Sequence, residues 1–192
     1  MTVREERFMA NVFILLARGF EECEALVPAD LLKRAGANVV LVATEGGLAV
    51  TGAHGFTVTA DITIDEVRRD DVNCVVLPGG MPGTEHLSGN SSVLALVEHA
   101  VENGNYVAAI CAAPSILGKM RLLDGRNAAV YPSFAESLKY ANITGKKVEH
   151  DDIFITAEGM GVAFEFGFKL IEVLFGSQTA DEIKSSVRYS EK

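Results

Sequence analysis

Short runs of apolar residues, many of them β-branched, alternate along the chain with stretches in which apolar residues recur every three or four positions. The short runs predict strands, at 12–17, 39–43, 74–77, 106–110, 127–130 and 153–156. The periodic stretches predict helices, at 21–35, 91–103, 113–117, 163–175 and 177–186. Because strands that are apolar throughout need cover on both faces, the alternation predicts an α/β fold with a mostly parallel sheet between two helical layers.

Glycine and hydroxyl residues mark the ends of the predicted helices. Gly36 and Gly176 follow directly after helical stretches, where a C-cap belongs. Ser91 or Ser92 is expected to cap the helix that begins there, because a hydroxyl oxygen can accept from the free N–H groups of the first turn.

The pattern also bears on domain organisation. A glycine-punctuated stretch at 46–60 predicts a short hairpin or edge insertion, and no linker, repeat or low-complexity segment divides the chain. Residues 1–8 form a polar leader, since Met9 would itself make a natural start. We therefore expect a leader at 1–8, native or not, followed by one domain at 9–192.

Composition and charge narrow the function classes. Of 192 residues, 26 are acidic and 17 are Lys or Arg, so the formal net charge is −9. Nucleic-acid binding needs clustered basic residues and is not expected. No apolar run approaches the roughly 20 residues of a membrane helix. The run at 12–17 is too short for a secretory signal and leads into charged residues. We expect a cytoplasmic protein with no membrane or nucleic-acid partner.

The cysteines and histidines are few and dispersed. Three cysteines make an odd count without metal-type spacing, and the four histidines are equally scattered. A zinc site needs at least three converging N, S or O ligands, which this spacing does not predict. We expect free thiols and no metal.

The strongest chemical feature is Cys111, the first residue after the predicted strand at 106–110. It is followed by Ala112, Ala113 and Pro114, small residues that then enter a helix, which is the arrangement of a nucleophile elbow. A thiol at a helix N-terminus is expected to have a lowered pKa, and the thiolate is both the nucleophile and the oxidisable species. The alternative is a small, inert core cysteine. Its place at the C-terminal end of a strand favours chemistry, because α/β sheets bind ligands there.

Two further segments follow strands and contain polar groups. Gly79 and Gly80 end the strand at 74–77 and free the backbone to present N–H groups. The amides of Gly80 and Ala112 are candidate donors to an oxyanion beside Cys111, although a Gly-Gly pair is often only a turn.

Three acids open the first predicted helix. Glu21 and Glu22 suit the positive end of the helix dipole on the surface. Glu24, if turned inward, would be desolvated, its pKa would rise and it could donate a proton. Periodicity alone does not choose between Glu24 and Glu21.

Four segments occur in one order across nearly the whole chain and together resemble the DJ-1/ThiJ branch of the DJ-1/PfpI superfamily. They are ARGFEECEALVP at 17–28, LPGGMPG at 77–83, AICAAP at 109–114 and EGMGVAFEF at 158–166. The resemblance implies a flavodoxin-like three-layer α/β/α sandwich and a homodimer. It also implies that Cys111 is the active-site cysteine, that Glu24 is its protonated partner, and that Gly80 and Ala112 donate to an oxyanion.

The resemblance implies two classes of function. One is a glutathione-independent glyoxalase or deglycase acting on methylglyoxal, glyoxal or glycated groups without a cofactor. The other is an oxidative-stress sensor or chaperone that acts through oxidation of the same cysteine.

The chain departs from the family pattern at two positions. Tyr131 stands where many animal relatives carry a histidine, and a phenol with a pKa near 10 cannot serve as a general base at neutral pH. His54 stands where relatives often carry arginine near the dimer interface, and it either reaches the partner's pocket or is a solvated loop histidine. With Gly79, these residues form the expected edge of the substrate pocket.

Overall fold

The structure, a computed structural model, describes residues 9–190 of the chain. The predicted leader at 1–8 lies outside the described residues, so the division into a leader and one domain stays a prediction. Among residues 9–190, no helix is both long enough and apolar enough to cross a membrane.

Eleven strands and six α-helices occur in the described part of the chain. The strands are β1 Asn11–Leu16, β2 Asn38–Ala43, β3 Ala49–Thr51, β4 Thr57–Thr59, β5 Ile62–Thr63, β6 Cys74–Leu77, β7 Tyr106–Ile110, β8 Asn127–Ala128, β9 Asn142–Ile143, β10 Val148–Asp151 and β11 Phe154–Ala157. The helices are α1 Glu22–Ala35, α2 Gly83–Gly89, α3 Ser91–Glu102, α4 Pro114–Lys119, α5 Ala163–Phe175 and α6 Ser177–Ser186. Short 3₁₀ segments lie at Ile64–Glu66, Arg69–Asp71, Pro132–Leu138 and Met160–Val162.

Seven strands form the central sheet, in the order β10-β11-β7-β6-β1-β2-β5. Every pairing in it is parallel except β10 with β11, which is antiparallel. The predicted hairpin is present as the antiparallel pair β3 and β4. The prediction of a mostly parallel sheet is therefore confirmed.

Alternate side chains of β1 pack into two separate cores, one on each face of the sheet. Ile14 and Leu16 join the core under α1, α5 and α6, which also contains Phe166. Phe13 and Leu15 join the opposite core, under α2, α3 and α4. Because β1 is covered on both sides, nearly every residue in it is buried. This is the three-layer α/β/α sandwich that the sequence predicts.

Some local features differ from the sequence prediction. Helix α2 and the edge strand β10 were not predicted, because neither has a long periodic or apolar run. The cap of α3 is Asn90, whose side-chain oxygen accepts from the N–H groups of Ser92 and Val93 at 2.9 and 3.2 Å. The prediction of Ser91 or Ser92 as the cap is wrong, since both lie inside the helix.

Candidate active site

The candidate site lies at the C-terminal edge of the central parallel strands. The segments that follow β1, β6, β7 and β11 all emerge at this edge, because parallel strands end on the same side of a sheet. These segments bring together residues that are far apart in the sequence. Cys111 directly follows β7, and Gly79 and Gly159 each lie two residues after a strand, whereas Glu24 lies in α1.

Cys111 connects β7 to α4 in an uncommon backbone conformation. Its φ is +64°, in the left-handed region that non-glycine residues seldom adopt. Two hydrogen bonds hold it there: its N–H donates to Ala157 O and its C=O accepts from Tyr131 N–H, both at 2.9 Å. Pro114 occupies the first turn of α4, as predicted. Cys111 is partly exposed, unlike the fully buried Cys74.

Glu24 is fully buried on the inner face of α1. Its Oε2 accepts a hydrogen bond from Gly79 N–H at 2.9 Å. Its Oε1 is buried and makes no hydrogen bond within residues 9–190. Burial raises the pKa of Glu24 to about 7, against the lowering effect of Cys111 and of the Gly79 N–H. Glu24 can therefore hold or release a proton near neutral pH.

The pKa of the Cys111 thiol is raised to about 12, first because the sulfur is desolvated and second because the charge of Glu24 opposes a thiolate. The expectation of a lowered pKa is wrong for this state of the site. The N–H groups of Ala112 and Gly80 do lower the pKa, but the two larger effects outweigh them. The charge effect depends on the protonation of Glu24, because a neutral carboxyl group no longer repels a negative sulfur.

The glycines after β6 allow this close approach. A Cβ on Gly79 would lie 2.7 Å from Cys111 Cβ, 2.7 Å from Glu24 Oε2 and 2.9 Å from Ile110 O. Gly80 has a φ of +88°, and a Cβ there would collide with the Glu21 backbone. With these side chains absent, the N–H of Gly79 reaches Glu24 and that of Gly80 acts on the Cys111 sulfur.

Tyr131 lies at the edge of an open groove of about 630 Å³ that also contains Met160 and Glu158. The ring of Tyr131 is half-exposed and packs over Gly159, 3.4 Å from the place of a Cβ there. Tyr131 N–H donates to the Cys111 carbonyl, so the groove lies beside the backbone of Cys111, although Cys111 itself does not line it. Met160 was missed by the sequence analysis, because it is an exposed apolar residue outside any periodic stretch.

His54 makes no hydrogen bond to Cys111 or Glu24 and instead binds the first turn of α1. Its N–H donates to Glu22 Oε1 at 2.9 Å, and its Nδ1 lies 2.9 Å from Glu22 Oε2 and 3.6 Å from Glu21 Oε2. Glu22 is buried at 7% exposure, so the expected surface role is wrong for it. The neighbouring charges raise the pKa of His54, chiefly through its bond to Glu22.

The other two cysteines stand apart from this chemistry. Cys74 is fully buried in β6, as expected for a core residue, and burial raises the pKa of its thiol to about 12. Cys23 is exposed, whereas its neighbour Glu24 is turned into the core. The structure thus brings together Cys111, Glu24, Gly79, Gly80 and Ala112, while their catalytic roles stay predictions.

Comparison with known proteins gives the family. The model of the DJ-1/PfpI family matches residues 10–173, and the chain belongs to this family. It is 35% identical over 175 residues to the protein dj-1beta of Drosophila melanogaster, covering 90% of this chain and 94% of that one. It is 36% identical over 181 residues to the DJ-1 homolog A of Arabidopsis thaliana, covering 93% of this chain but 46% of that protein. The chain thus spans about half the length of the plant relative.

Solved structures agree with the fold and the family. The crystal structure of Drosophila melanogaster DJ-1beta superposes with a TM-score of 0.91 at 33% identity, covering 96% of this chain and all of that one. The structure of oxidized DJ-1 of Toxoplasma gondii gives a TM-score of 0.90 at 33% identity, covering 95% and 100%. A deglycase of Thermococcus kodakarensis is 35% identical over 131 residues, covering 68% of this chain and 78% of that protein.

Proposed function

We propose that this protein is a cysteine-dependent enzyme of the glyoxalase or deglycase type, which converts methylglyoxal, glyoxal or their adducts to lactate or glycolate. One observation carries the proposal. A partly exposed thiol, Cys111, lies between a buried carboxyl group with a pKa of about 7 and the N–H groups of Gly80 and Ala112. This set supplies a nucleophile, a proton carrier and an oxyanion site. The name of the Thermococcus relative, a deglycase, supports the same class.

The first step is attack of the sulfur on the aldehyde carbon of methylglyoxal. A thiol with a pKa of about 12 is scarcely ionised at neutral pH, so Glu24 must take its proton as the carbon–sulfur bond forms. Transfer of that proton also removes the negative charge that opposes the thiolate. The aldehyde oxygen becomes an oxyanion, which the Gly80 and Ala112 N–H groups stabilise.

The adduct then rearranges without an external oxidant or reductant. Glu24 returns its proton to the former aldehyde oxygen, removes the hydrogen on the sulfur-bearing carbon as a proton, and delivers it to the neighbouring carbon. The hydroxyl proton on the former aldehyde oxygen passes to the ketone oxygen. The former aldehyde carbon is oxidised to a thioester, while the ketone carbon is reduced to an alcohol. Water then breaks the carbon–sulfur bond, which releases lactate and restores the Cys111 thiol. In a glycated adduct, the amine leaves with a proton when the sulfur bonds to the carbon.

Tyr131 limits how fast this sequence can run. Relatives that carry histidine there have a second group able to accept a proton, whereas a phenol only donates or orients. All proton transfers therefore fall to Glu24, and we expect slow turnover. The groove beside Tyr131 is far larger than methylglyoxal and leaves room for the remainder of a glycated substrate.

A homodimer is part of the proposal, since proteins of this family are typically homodimers. An apolar groove of about 410 Å³ between α1 and α5, containing the exposed residues Leu26 and Phe164, supports it. We place the protein in the cytoplasm, a location that its free thiols favour.

The decisive experiment measures lactate made from methylglyoxal without added thiols. Lactate must be quantified, because any thiol or arginine consumes methylglyoxal reversibly. We expect many turnovers from the wild type and none from Cys111→Ala or Glu24→Gln. Cys23→Ser, which removes an exposed thiol outside the site, is the matched control and should keep full activity.

The second candidate function is a redox sensor, and Tyr131 favours it because the site lacks a second base. Peroxide would oxidise the Cys111 thiolate in two steps, each adding one oxygen to sulfur and releasing water or hydroxide, to give a sulfinate. The Gly80 and Ala112 N–H groups suit its oxygens. If wild type makes no more lactate than Cys111→Ala, the enzyme proposal fails. Mass spectrometry of peroxide-treated protein, showing two added oxygens on Cys111 and none on Cys23, would then support the sensor.

A further inference from the structure

A second cluster of polar side chains lies outside the thiol site, where the loop between β3 and β4 meets the N-terminus of α1. Here a carboxylate oxygen of Glu21, a carboxylate oxygen of Glu22 and an imidazole nitrogen of His54 converge, all within 4.8 Å of one another. The sequence predicted no such grouping, because His54 is more than 30 positions away from the two acids. The two acids come from one segment and the imidazole from another.

From this convergence we infer that Glu21, Glu22 and His54 form a binding site for a borderline divalent metal ion such as Zn²⁺. Imidazole together with carboxylates is a ligand set that Zn²⁺ accepts, whereas Mg²⁺ and Ca²⁺ prefer oxygen alone. Three protein ligands leave the fourth position to water. That position is open, because the His54 side chain is 63% exposed.

The distances suit a small ion. With metal–ligand bonds of about 2.0 Å, two ligands of a tetrahedral site stand about 3.3 Å apart. Nδ1 of His54 lies 2.9 Å from Glu22 Oε2 and 3.6 Å from Glu21 Oε2, on either side of that value. For these two pairs only small side-chain movements would be needed to seat the ion, and the two carboxylates lie within 4.8 Å of each other.

The carboxylate of Glu22 is held in place before any ion binds. Its Oε1 accepts the N–H of His54 at 2.9 Å, which leaves Oε2 to face the cluster. Gly52 packs directly on the same carboxyl group, where a Cβ would lie 2.5 Å from Glu22 Oε1. The backbone of Glu21 is also fixed, by its N–H bond to Gly79 O at 2.9 Å. Such outer contacts fix ligand geometry in metal sites.

Charge balance gives an independent reason for a cation. Within residues 9–190, neither Glu21 nor Glu22 forms a salt bridge with a lysine or an arginine, and His54 is the basic partner of both. The N-terminus of α1 offsets part of the two negative charges. A divalent ion bound at the cluster would neutralise the rest.

The test is an equilibrium titration of Zn²⁺ into the full chain, in whatever oligomeric state it has in solution. The titrated protein contains Cys23→Ser and Cys111→Ser, because these two thiols would otherwise compete for the ion. We expect one Zn²⁺ per chain. His54→Gln and Glu21→Gln should each weaken binding by about tenfold or more, as the loss of even an outer contact does in metal sites. Co²⁺ in place of Zn²⁺ should give the visible absorption of a four-coordinate site.

The matched control is His86→Gln. Its Nδ1 lies 3.1 Å from Glu45 Oε1, so it pairs with one carboxylate rather than two and should leave Zn²⁺ affinity unchanged. Thermal unfolding without metal checks that each variant is folded, and Zn²⁺ should raise the midpoint of the parent but not of His54→Gln. Equal Zn²⁺ affinity in His54→Gln and the parent, or an equal loss in His86→Gln, would overturn the inference. Because lactate production plays no part in this test, its outcome is separate from that of the proposed function.

Discussion

Gly79 is tightly packed between Cys111 and Glu24, and replacing it with alanine tests whether that packing holds the site together. Backbone strain is not the issue at this position, because Gly79 lies outside the left-handed region. The new methyl group would meet Cys111 Cβ at 2.7 Å, Glu24 Oε2 at 2.7 Å and Ile110 O at 2.9 Å. These contacts are tighter than carbon atoms tolerate, and two of them involve groups with little freedom to move.

The expected cost follows from overpacking a filled core, about 1–3 kcal/mol of the free energy of unfolding. For a chain of this size, each kcal/mol lowers the melting temperature by about 2–4 °C. Since the displaced groups are the nucleophile and its proton carrier, both lactate production and alkylation of Cys111 by iodoacetamide should also slow, by at least about tenfold.

Urea unfolding gives the free energy, and mass spectrometry of alkylated peptides gives the thiol rate. Gly89→Ala is the matched control, because a Cβ at Gly89 meets nothing within 4 Å. It should be neutral or slightly stabilising. Equal stabilities and equal alkylation rates for Gly79→Ala and Gly89→Ala would show that the site does not depend on the absence of a side chain at position 79.

Three further predictions concern ionisation, capping and the core. The pKa of Glu24 rises from 4.5 to about 7 on folding, so its contribution to stability is fully present below pH 4.5 and is lost as pH rises through 7. The wild type should therefore lose roughly 3 kcal/mol of its free energy of unfolding as pH rises, and Glu24→Gln, measured by urea unfolding, should not show this loss. Parallel plots of the free energy of unfolding against pH for the variant and the wild type would contradict the prediction. Asn90→Ala should lower the free energy of unfolding by about 1–2 kcal/mol, because α3 loses its cap, whereas Ser91→Ala should lower it by less than about 0.5 kcal/mol. A larger loss for Ser91→Ala than for Asn90→Ala would refute the capping assignment. Phe166 is fully buried, so Phe166→Ala should lower the free energy of unfolding by about 3–5 kcal/mol. Phe56 is 68% exposed, so Phe56→Ala should change the free energy of unfolding little. Similar melting temperatures for the two variants would contradict the assignment of Phe166 to the core.

The pattern of apolar residues was enough to predict most of the sheet and the longer helices. β6 and α5 have the bounds that their residues predict, because a buried parallel strand must be apolar throughout and a packed helix repeats every 3.6 residues. Edge strand β10 was not predicted, because it lacks the continuous apolar run by which the buried strands were identified. It contains Glu149, His150 and Asp151, and an antiparallel edge need not be apolar on both faces.

The sequence alone also placed Cys111 at a strand end, since that depends only on the order of elements along the chain. It could not choose among the acids of α1 from periodicity, because successive residues point about 100° apart and the packed face is fixed only by the sheet beneath. The tertiary structure turned Glu24 into the core. It also buried Glu22 against His54, from a loop more than 30 positions away.

The ionisation of the site was likewise decided by the tertiary structure. A helix N-terminus lowers a thiol pKa, and the sequence contains that feature, but desolvation and the facing carboxylate raise the pKa of Cys111 further than the amides lower it. These two effects depend on distance and burial rather than on neighbours in sequence. The sequence determined which groups could react, and the packing of α1 against the sheet determined which of them carries the proton.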